Sequence, residues 1–480
     1  MSFRQDKSAL CRWKQKNKNN RRYAHFDEKI NLSKAWDYIK NPVKIAQHSF
    51  YPFIHYIIRQ KKYGIKNGSD VKKKEQDEKK RYIYYSAHLD RYIFSYCGHL
   101  LNQHYNRRLK SDGIDNVAIA YRDNKVNMSN IQYARKAYDY IKELGDCFVL
   151  IGDFKSFFDE LDHSYLKERL LDWLGTKRLE DDYFAVFKNI TRFSYWQLES
   201  ILKLNEIKVS MKNPESVKMA YDVLNKCDRV FSAVDFRKYR HDKIAGIKNV
   251  TRNNKFYGIP QGSAISGVLS NIYMLEFDKM VNEFVKEVGG LYMRYSDDFI
   301  VVLPKQDEDI LELQYRKILD IKDSVERLTL EPKKTQIFIC CERKIERRCP
   351  INISHVIKEN SRIDYLGFSF DGHKITIRGK TISKYYYRMN RKLKTILDSN
   401  GKTHKGNRIS AKVLYAKYTF KGSRSRKGRD EKRKPKGNFI SYVNRARYEF
   451  GPDEDIDIAT KNHMLKIKRK LKLSKAKDSK

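Results

Sequence analysis

Two runs of β-forming residues with a pair of aspartates between them place the strongest constraint on the fold. Residues 291–303 read LYMRYSDDFIVVL, and the runs LYMRY and FIVVL flank Ser296, Asp297 and Asp298. Aromatic and branched residues on both sides of a short polar segment are typical of a β-hairpin. An ordinary polar turn is the alternative, but two adjacent carboxylates repel each other unless a cation relieves the repulsion. The pattern therefore predicts a hairpin with two candidate metal ligands at its tip.

A second predicted strand also ends in an aspartate. Residues 147–151, CFVLI, form a continuous apolar run that is typical of a buried strand, and Gly152 and Asp153 follow it. Taken alone, Asp153 is more simply explained as the N-cap of the next helix. If its strand lies beside the hairpin, however, three carboxylates surround one point. Mg²⁺ binds a few carboxylates together with substrate phosphates, and two such ions promote nucleotidyl transfer.

A glycine-containing loop lies between these two segments of the sequence. Residues 258–274 read GIPQGSAISGVLSNIYM. Glycine at positions 258, 262 and 267 allows the backbone to approach a ligand closely, and Gln261 supplies an amide. The residues that follow have helical periodicity. A plain loop-to-helix junction is the alternative, but it does not explain why the loop lies between two carboxylate sites.

The balance of charged residues indicates a polyanionic partner. Among 480 residues, Lys and Arg total 100 and Asp and Glu total 59, which leaves a formal net charge of +41. A charge of this size favours nucleic acid, through phosphate contacts and the release of counterions. An anionic membrane surface is a weaker explanation because no amphipathic anchor stands out. A protein that is merely basic and soluble is the simplest alternative.

The sequence also bears on location and on cysteine chemistry. No stretch approaches the roughly 18 uncharged apolar residues of a membrane span. No apolar run follows the basic start of the chain, so we expect no signal peptide, no membrane partner and a cytoplasmic location. The seven cysteines include no CxxC pair, and their odd number argues against a disulfide framework. Cys340, Cys341 and Cys349, with His355 nearby, fit no common zinc spacing.

The periodicity of the rest of the chain is mixed. We predict an aromatic-rich helical stretch over about 33–63, a solvated loop or helix start over 67–80, and a helix over 81–105. The middle of the chain alternates short apolar runs with helical stretches, which is typical of an α+β or α/β protein. Residues 383–397 predict a basic helix with an apolar face, and the basic run at 421–437 favours a surface that follows phosphates.

Together these segments resemble the reverse transcriptases, in the order that the family has them. The similar motifs, within a region of about 115–395, are IAYRDNK (119–125), GDFKSFFDELDH (152–163), GIPQGSAISGVLSN (258–271), YSDD (295–298), LEPKKTQIF (330–338) and YLGF (365–368). They resemble a fingers segment, the first palm motif, the PQG motif, the YxDD box, the motif after it and the primer-grip hairpin. The sequence looks most like bacterial enzymes of the retron and defence-associated (abortive-infection-like, unknown-group) type. Gly267 departs from the pattern, since many relatives have Pro there.

The resemblance implies a set of catalytic residues. Asp153, Asp297 and Asp298 would bind the metal ions and carry catalysis. The carbonyl of Phe154 would be a further metal ligand. Phe158 falls at the position that screens the sugar, where a bulky ring favours deoxynucleotides, although a phenylalanine of the core is the alternative explanation.

The resemblance also implies binding residues. Gln261 and Gly262 would line the nucleotide pocket. Arg122 and Lys334 would contact the triphosphate, although a surface cation is the default explanation in so basic a chain. The candidates for nucleic-acid binding on the basic helix are Lys384, Arg388, Arg391, Lys392 and Lys394.

The implied fold is α+β, a right-hand polymerase with fingers, a palm that carries an antiparallel sheet, and a helical thumb. We expect the N-terminal region and fingers in 1–145 and the palm in 146–370, with an inserted segment at about 164–254. The basic thumb and tail would occupy 371–480.

The expected function is that of an RNA-directed DNA polymerase that makes cDNA from an RNA template and dNTPs with two Mg²⁺ ions. The resemblance further implies antiphage defence and an associated noncoding RNA. The alternatives are a template-independent terminal transferase or an RNA-dependent RNA polymerase on the same fold, and a catalytically dead RNA-binding scaffold. Assembly into a homo-oligomer is left open.

Overall fold

The chain folds into helices and mostly antiparallel sheets. A computed structural model of the protein describes residues 6–18, 23–65, 74–125, 128–211, 213–244, 247–398, 410–423 and 437–475. The helices are α1 (Lys7–Asn17), α2 (Leu32–Ile39), α3 (Pro42–Ala46), α4 (His88–Ser111), α5 (Asn130–Leu144), α6 (Phe157–Glu160), α7 (His163–Leu174), α8 (Asp181–Thr191), α9 (Leu198–Leu204), α10 (Pro214–Leu224), α11 (Ala233–Tyr239), α12 (Ser266–Tyr273), α13 (Leu275–Glu287), α14 (Glu308–Asp323), α15 (Gly379–Asp398), α16 (Ala411–Tyr418), α17 (Phe420–Ser423), α18 (Phe439–Phe450) and α19 (His463–Lys475). The strands are β1 (Phe53–Ile65), β2 (Lys74–Tyr85), β3 (Cys147–Asp153), β4 (Ser194–Gln197), β5 (Lys243–Ile244), β6 (Ile247–Lys248), β7 (Val250–Arg252), β8 (Leu291–Tyr295), β9 (Asp298–Pro304), β10 (Gln336–Cys341), β11 (Lys344–Cys349), β12 (Asn352–Lys358), β13 (Ile363–Tyr365), β14 (Phe368–Phe370) and β15 (Ile375–Ile377).

A six-stranded sheet carries both aspartate segments. Its strand order is β12-β11-β10-β3-β9-β8, and all neighbouring strands are antiparallel. Every residue of β3 is buried, because Phe148 and Leu150 lie in one apolar layer while Val149 and Ile151 lie in the other. Side chains alternate between the faces of a sheet, so burial of both faces explains why residues 147–151 of this strand are all apolar. The predicted buried strand and the predicted hairpin are both confirmed.

Helices cover one face of this sheet, and a small sheet covers the other. Apolar residues of α4, α7, α12, α13 and α14 form the first layer, and those of α5, α18 and the three-stranded sheet β13-β14-β15 form the second. The Tyr138 hydroxyl of α5 donates to the carbonyls of Ile363 and Phe368, each at 3.0 Å. Between β13 and β14, Leu366 and Gly367 have φ of 46° and 94°. Two positive φ values are typical of a type I′ hairpin turn, which confirms a hairpin at YLGF.

The four-stranded sheet, β2-β1-β4-β7, corrects the predictions for the N-terminal region. Residues 53–63 lie in β1 instead of a helix, and residues 74–80 and 81–85 lie in β2 instead of a loop or helix. β1 pairs antiparallel with β2 from Ile54 to Ile65. Aromatic and branched residues favour a strand when a partner strand covers them. The partner lies further along the chain, so the periodicity of one segment does not reveal it.

The segment between Asp159 and Gly258 completes the same sheet. β4 pairs parallel with β1, and β7 pairs antiparallel with β4. Trp196 of β4 is fully buried, and its ring centroid lies 5.3 Å from those of Phe26 and Phe231. The insertion therefore builds part of the N-terminal sheet and its core.

The C-terminal helices form a separate apolar cluster. Tyr385, Met389 and Leu393 of α15 pack there with residues of α16, α18 and α19. The predicted basic helix at 383–397 is confirmed as the greater part of α15. The predicted polar segment at 67–73 and most of the predicted basic run, 424–436, lie outside the described residues. Within the described part of the chain, no helix is both long and apolar enough for a membrane crossing.

Candidate active site

The ends of β3 and β9 bring two of the predicted catalytic carboxylates together. Asp153 lies directly opposite Asp298 in the ladder between the two strands. The N–H of Phe154 donates to the carbonyl of Asp297 at 3.2 Å, which fixes the hairpin tip beside the end of β3. Directly opposed residues on antiparallel strands have Cβ atoms about 4.5–5.5 Å apart. The backbone therefore places these carboxylates within reach of a shared ion.

The turn that carries Asp297 has only two residues. Tyr295 pairs with Asp298, so Ser296 and Asp297 alone connect β8 to β9. Ser296 has φ of 64°, which suits the twist of a two-residue hairpin turn. Positive φ is uncommon for a residue other than glycine, so neighbouring groups must hold this conformation.

A fully buried ion pair supports the turn. Arg294 and Asp278 have side chains that are 0% exposed, and they form two hydrogen bonds at 2.8 and 2.6 Å. Arg294 also donates from Nη1 to the Ser296 carbonyl at 2.8 Å, and the Tyr292 hydroxyl donates to Asp278 at 2.8 Å. Buried charges are costly unless good geometry and further hydrogen bonds compensate them. This pair was not predicted from the sequence, where the one signal for it is a lone arginine in the otherwise uncharged strand β8.

Burial changes the proton affinity at the sheet edge. Desolvation, a hydrogen bond to Asp153 and the charge of Asp297 together raise the pKa of Asp298 to about 7. The ammonium of Lys334 lowers it, and this lysine forms an ion pair with Asp153. The raised pKa reduces the ionised fraction of Asp298 near neutral pH, and Lys334 offsets the charge of Asp153. A divalent cation bound at this edge would take over that role.

The residues present fit a hard divalent cation by their chemistry. Carboxylate and carbonyl oxygens are the preferred ligands of such ions, and Asp153, Phe154, Asp297 and Asp298 supply them. Among the described residues, however, no group of three or more His, Cys, Asp or Glu side chains is already arranged as a metal site. Asp153 is instead paired with Lys334. The backbone brings the carboxylates together, and a metal would have to displace the lysine from Asp153.

A cavity of about 930 Å³ adjoins the aspartate turn. Its lining includes Tyr295 before the turn, Tyr121, Phe158 of α6, and Gln261 and Gly262 of the glycine-containing loop. Four of the five predicted nucleotide-binding residues therefore line one cavity, and their contact with a nucleotide stays a prediction; they are Arg122, Phe158, Gln261 and Gly262. The predicted triphosphate contact of the lysine at 334 also stays a prediction, because that side chain lies at the aspartates and not among the cavity-lining residues.

The glycine-containing loop lies close against β2 at Gly262. Gly262 has φ of 116°, and a Cβ there would lie 2.5 Å from the Tyr84 carbonyl oxygen. Tyr84 donates its N–H to the Gln261 carbonyl at 2.9 Å, which joins the loop to β2. At the start of the loop, Nε2 of His163 donates to the Gly258 carbonyl at 2.8 Å. Only glycine at position 262 permits this close approach of the loop to the β1-β2 hairpin.

Arg122 lines the same cavity, but protein acceptors hold its guanidinium, and its predicted triphosphate contact stays a prediction. Its side chain is 0% exposed and forms an ion pair with Asp115. It also donates to Asn106 Oδ1 at 2.7 Å and to the Ala118 carbonyl at 3.0 Å. A guanidinium has five N–H donors and no acceptor, and here protein acceptors occupy them on several sides. Arg122 therefore fixes the loop that carries it.

Phe158 lies half-buried on the cavity wall. Its ring centroid is 5.5 Å from that of Phe157 and 6.3 Å from that of Tyr121. The ring thus contacts the core on one side and the cavity on the other. Its role as a screen for the sugar stays a prediction.

The basic candidates on α15 lie away from its buried face. Exposed side chains are those of Lys384, Arg388, Arg391 and Lys394, and Lys392 is half-buried. The spacing of three and four residues between the first three puts them on one side of the helix, opposite Tyr385, Met389 and Leu393. Their binding to nucleic acid stays a prediction.

Comparison with curated proteins finds no match. Among solved structures, apo telomerase from Candida tropicalis truncated from its C-terminal domain is similar, with 12% identity, a TM-score of 0.39 and coverage of 73% of this chain and 61% of that chain. Telomerase from Candida albicans in complex with the TWJ fragment of telomeric RNA has 13% identity, a TM-score of 0.37 and coverage of 93% and 67%. This chain thus spans about three-fifths of the length of the first.

The family comparison covers the whole candidate site. Residues 71–370 match the family described as reverse transcriptase (RNA-dependent DNA polymerase). The match includes both aspartate segments, the glycine-containing loop and the YLGF hairpin, and it extends over more than half of the chain. It confirms the predicted right-hand polymerase fold and the predicted class of enzyme. The chain belongs to the reverse transcriptase family.

Proposed function

We propose that the protein is an RNA-directed DNA polymerase that extends a primer hydroxyl with deoxynucleotides on an RNA template, giving cDNA. The observation that carries the proposal is the register of β3 and β9, which sets Asp153 opposite Asp298. A cavity of about 930 Å³, lined by Tyr295 just before the aspartate turn, lies next to that turn, and sites for small ligands usually measure about 300–1,000 Å³. The net charge of +41 suits a nucleic-acid substrate.

In the proposed reaction, the primer 3′ oxygen loses its proton to solvent and bonds to the α-phosphorus as the bond to pyrophosphate breaks. Two Mg²⁺ ions, held by the three aspartates and the Phe154 carbonyl, would activate the attacking oxygen and stabilise the developing charge. Phe158 excludes a 2′-hydroxyl. Gln261 and Gly262 form the wall against which the nucleotide is oriented. Lys334, once released from Asp153, lies beside the departing pyrophosphate.

Primer extension on a defined RNA template tests this proposal. With dNTPs and Mg²⁺, the purified protein should lengthen the primer by the complementary sequence. The double variant Asp297→Ala, Asp298→Ala should lose roughly a thousandfold in rate or more, because metal ions supply several kcal/mol of charge stabilisation. A matched control is Asp307→Ala, Asp309→Ala, which removes two exposed carboxylates at the start of α14 and should leave the rate unchanged.

The same assay separates the alternatives. Incorporation without a template would indicate a terminal transferase, and a preference for ribonucleotides would indicate an RNA polymerase. RNA binding without synthesis by the wild-type protein would indicate a scaffold. Each of these results would contradict the proposal.

We further propose, from the sequence resemblance, that the enzyme is of the bacterial defence-associated type. It would act in the cytoplasm against phage, with a noncoding RNA held by its basic C-terminal region. Cells that express the protein should then resist phage, and cells that express the Asp297→Ala, Asp298→Ala variant should not. Equal plaque counts in the two would contradict the defence role. Sequencing the nucleic acid that copurifies with the protein would identify the RNA.

A further inference from the structure

Tyr121 lies between the cavity and the aspartate turn. Its side chain lines the cavity, and the residue is 49% exposed. Its hydroxyl accepts a hydrogen bond from the Ser296 hydroxyl at 3.0 Å. Ser296 is the residue immediately before Asp297. One tyrosine therefore contacts both the space for a substrate and the turn that positions a catalytic carboxylate.

Both residues joined by this hydrogen bond have uncommon backbone conformations. Tyr121 has φ of 59° and Ser296 has φ of 64°. Such conformations cost on the order of 1–3 kcal/mol each, persist only where the surroundings enforce them, and cluster at functional sites. The side chain of Asn102 holds Tyr121 by donating to its carbonyl. Two strained residues in direct contact indicate that their relative position matters.

A closed set of hydrogen bonds joins Tyr121 to the support of the turn. Asn271 of α12 donates to the Ala120 carbonyl at 2.9 Å and accepts from Arg294 at 3.3 Å. Arg294 in turn donates to the Ser296 carbonyl at 2.8 Å. The hydrogen bonds thus lead from Ala120, next to Tyr121, through α12 and β8 to the Ser296 carbonyl. The Ser296 hydroxyl in turn donates to the Tyr121 hydroxyl. This arrangement fixes the cavity wall relative to the aspartate turn.

The glycine at position 267 has a physical explanation in the same place. A Cβ at Gly267 would lie 2.7 Å from a ring carbon of Tyr121, well inside van der Waals contact. Any other residue at this position would displace the ring. The glycine therefore makes room for Tyr121 against the start of α12.

We propose that Tyr121 is a positioning residue for nucleotide incorporation. Its ring contacts the incoming deoxynucleotide, and its hydroxyl links that contact to the Ser296-Asp297 turn. Phe158, whose ring lies edge-on to Tyr121 with centroids 6.3 Å apart, forms the second aromatic wall. Substrate binding and carboxylate alignment are thereby coupled. This inference rests on the proposed polymerase function.

Single-nucleotide incorporation kinetics test the inference. Tyr121→Phe removes only the hydroxyl and should lower kcat about three- to tenfold, the effect of one hydrogen bond, while KM for the dNTP changes less than twofold. Ser296→Ala removes the same bond and should have the same effect. The two substitutions combined should be no worse than either alone, because residues that act through one contact are not additive. Tyr121→Ala should also raise KM. Tyr448→Phe removes the hydroxyl of a 90% exposed tyrosine and should change neither constant.

Gly267→Ala provides an independent test of the fit. It should raise KM and lower the melting temperature, because its Cβ displaces the Tyr121 ring. Adding Tyr121→Ala should restore the melting temperature. If the wild-type protein extends primers but Tyr121→Phe matches it, or if the effects of Tyr121→Phe and Ser296→Ala add, the inference is wrong and the proposed function stands. If the wild-type protein incorporates no nucleotide, the proposed function fails and the inference fails with it.

Discussion

At the scale of single residues, each acidic group at the sheet edge is held by a different kind of neighbour. Asp153 pairs with Lys334, and burial with hydrogen bonding raises the pKa of Asp298. Asp297 lies on a turn whose backbone is held by Arg294. Charges and hydrogen bonds therefore fix the strand ends and the turn that carry these three aspartates.

Removal of the Phe158 ring should weaken discrimination against ribonucleotides. Phe158→Ala should raise kcat/KM for a ribonucleotide relative to its deoxynucleotide at least about tenfold, because the space for a 2′-hydroxyl opens beside the cavity. The ratio is measured by single-nucleotide incorporation with both substrates. An unchanged ratio together with a lower melting temperature would identify Phe158 as a core residue only.

Loss of the buried arginine should destabilise the protein. Arg294→Met leaves Asp278 as an unpaired buried charge, which costs about 3–5 kcal/mol, and the melting temperature should fall by several degrees. Arg178→Met is the matched control, since its pair with Asp181 is exposed at 84% and 77% and such pairs contribute little. Equal melting temperatures for the two variants would contradict the supporting role of the buried pair.

The positions of the candidate catalytic aspartates were predictable because local patterns determine them. An apolar run ends at Asp153, and β-forming runs flank Asp297 and Asp298. The residues that support these positions were not predictable. A sequence shows that a side chain is cationic, but not which groups accept its hydrogen bonds. The protein acceptors of the Arg122 guanidinium, for example, could not be predicted from the sequence.

At the scale of elements, local sequence patterns predicted the strands that carry the aspartates in the six-stranded sheet, but not the strands of the four-stranded sheet. The three strands beside the aspartates were predicted, since residues 147–151 of β3 are all apolar and β8-β9 form a hairpin with a two-residue turn. The long hairpin β1-β2 was predicted as helix and loop. Its strands are polar and charged over much of their length, and only pairing with each other and with β4 identifies them. The structural role of the segment between Asp159 and Gly258 likewise became clear only from its strands β4 and β7, which complete the four-stranded sheet.

A methyl group at position 262 should separate the glycine-containing loop from β2. Gly262→Ala places a Cβ 2.5 Å from the Tyr84 carbonyl oxygen, so the loop must move and KM for the dNTP should rise. Gly113→Ala is the control, because Gly113 also has positive φ, 69°, but a Cβ there meets nothing within 4 Å. The control should cost only about 1 kcal/mol of stability and leave KM unchanged. Equal KM values in the two variants would contradict the close approach of loop and hairpin.

At the scale of the whole molecule, the large positive net charge is the main feature that bears on function. The excess of 41 positive charges favours polyanion contacts over an area larger than the active site, and we propose the exposed side of α15 as one such area. Contacts between cations and phosphates release counterions, so nucleic-acid affinity should fall steeply with salt.

Neutralising three basic residues on α15 should reduce that salt dependence. The change Lys384→Gln, Arg388→Gln, Arg391→Gln should lower the slope of log K against log salt by about 2 for single-stranded RNA, at roughly 0.7 per contact. Fluorescence anisotropy over a series of KCl concentrations measures the slope. The triple change Lys167→Gln, Lys177→Gln, Arg178→Gln removes the same charge from exposed positions of α7 and the loop after it. A slope lowered equally by both triples would argue against a specific role for α15.

We propose above all that three aspartates, remote in sequence, hold the catalytic ions jointly. Crystals of the protein with primer, RNA template and a non-hydrolysable dNTP, soaked in Mn²⁺ as a substitute for Mg²⁺, test it through the anomalous scattering of manganese. We expect two peaks between Asp153 and the Asp297–Asp298 tip, each about 2.0–2.2 Å from carboxylate oxygens, with the Lys334 ammonium moved off Asp153. Manganese bound elsewhere, with the Lys334–Asp153 ion pair intact, would contradict the account.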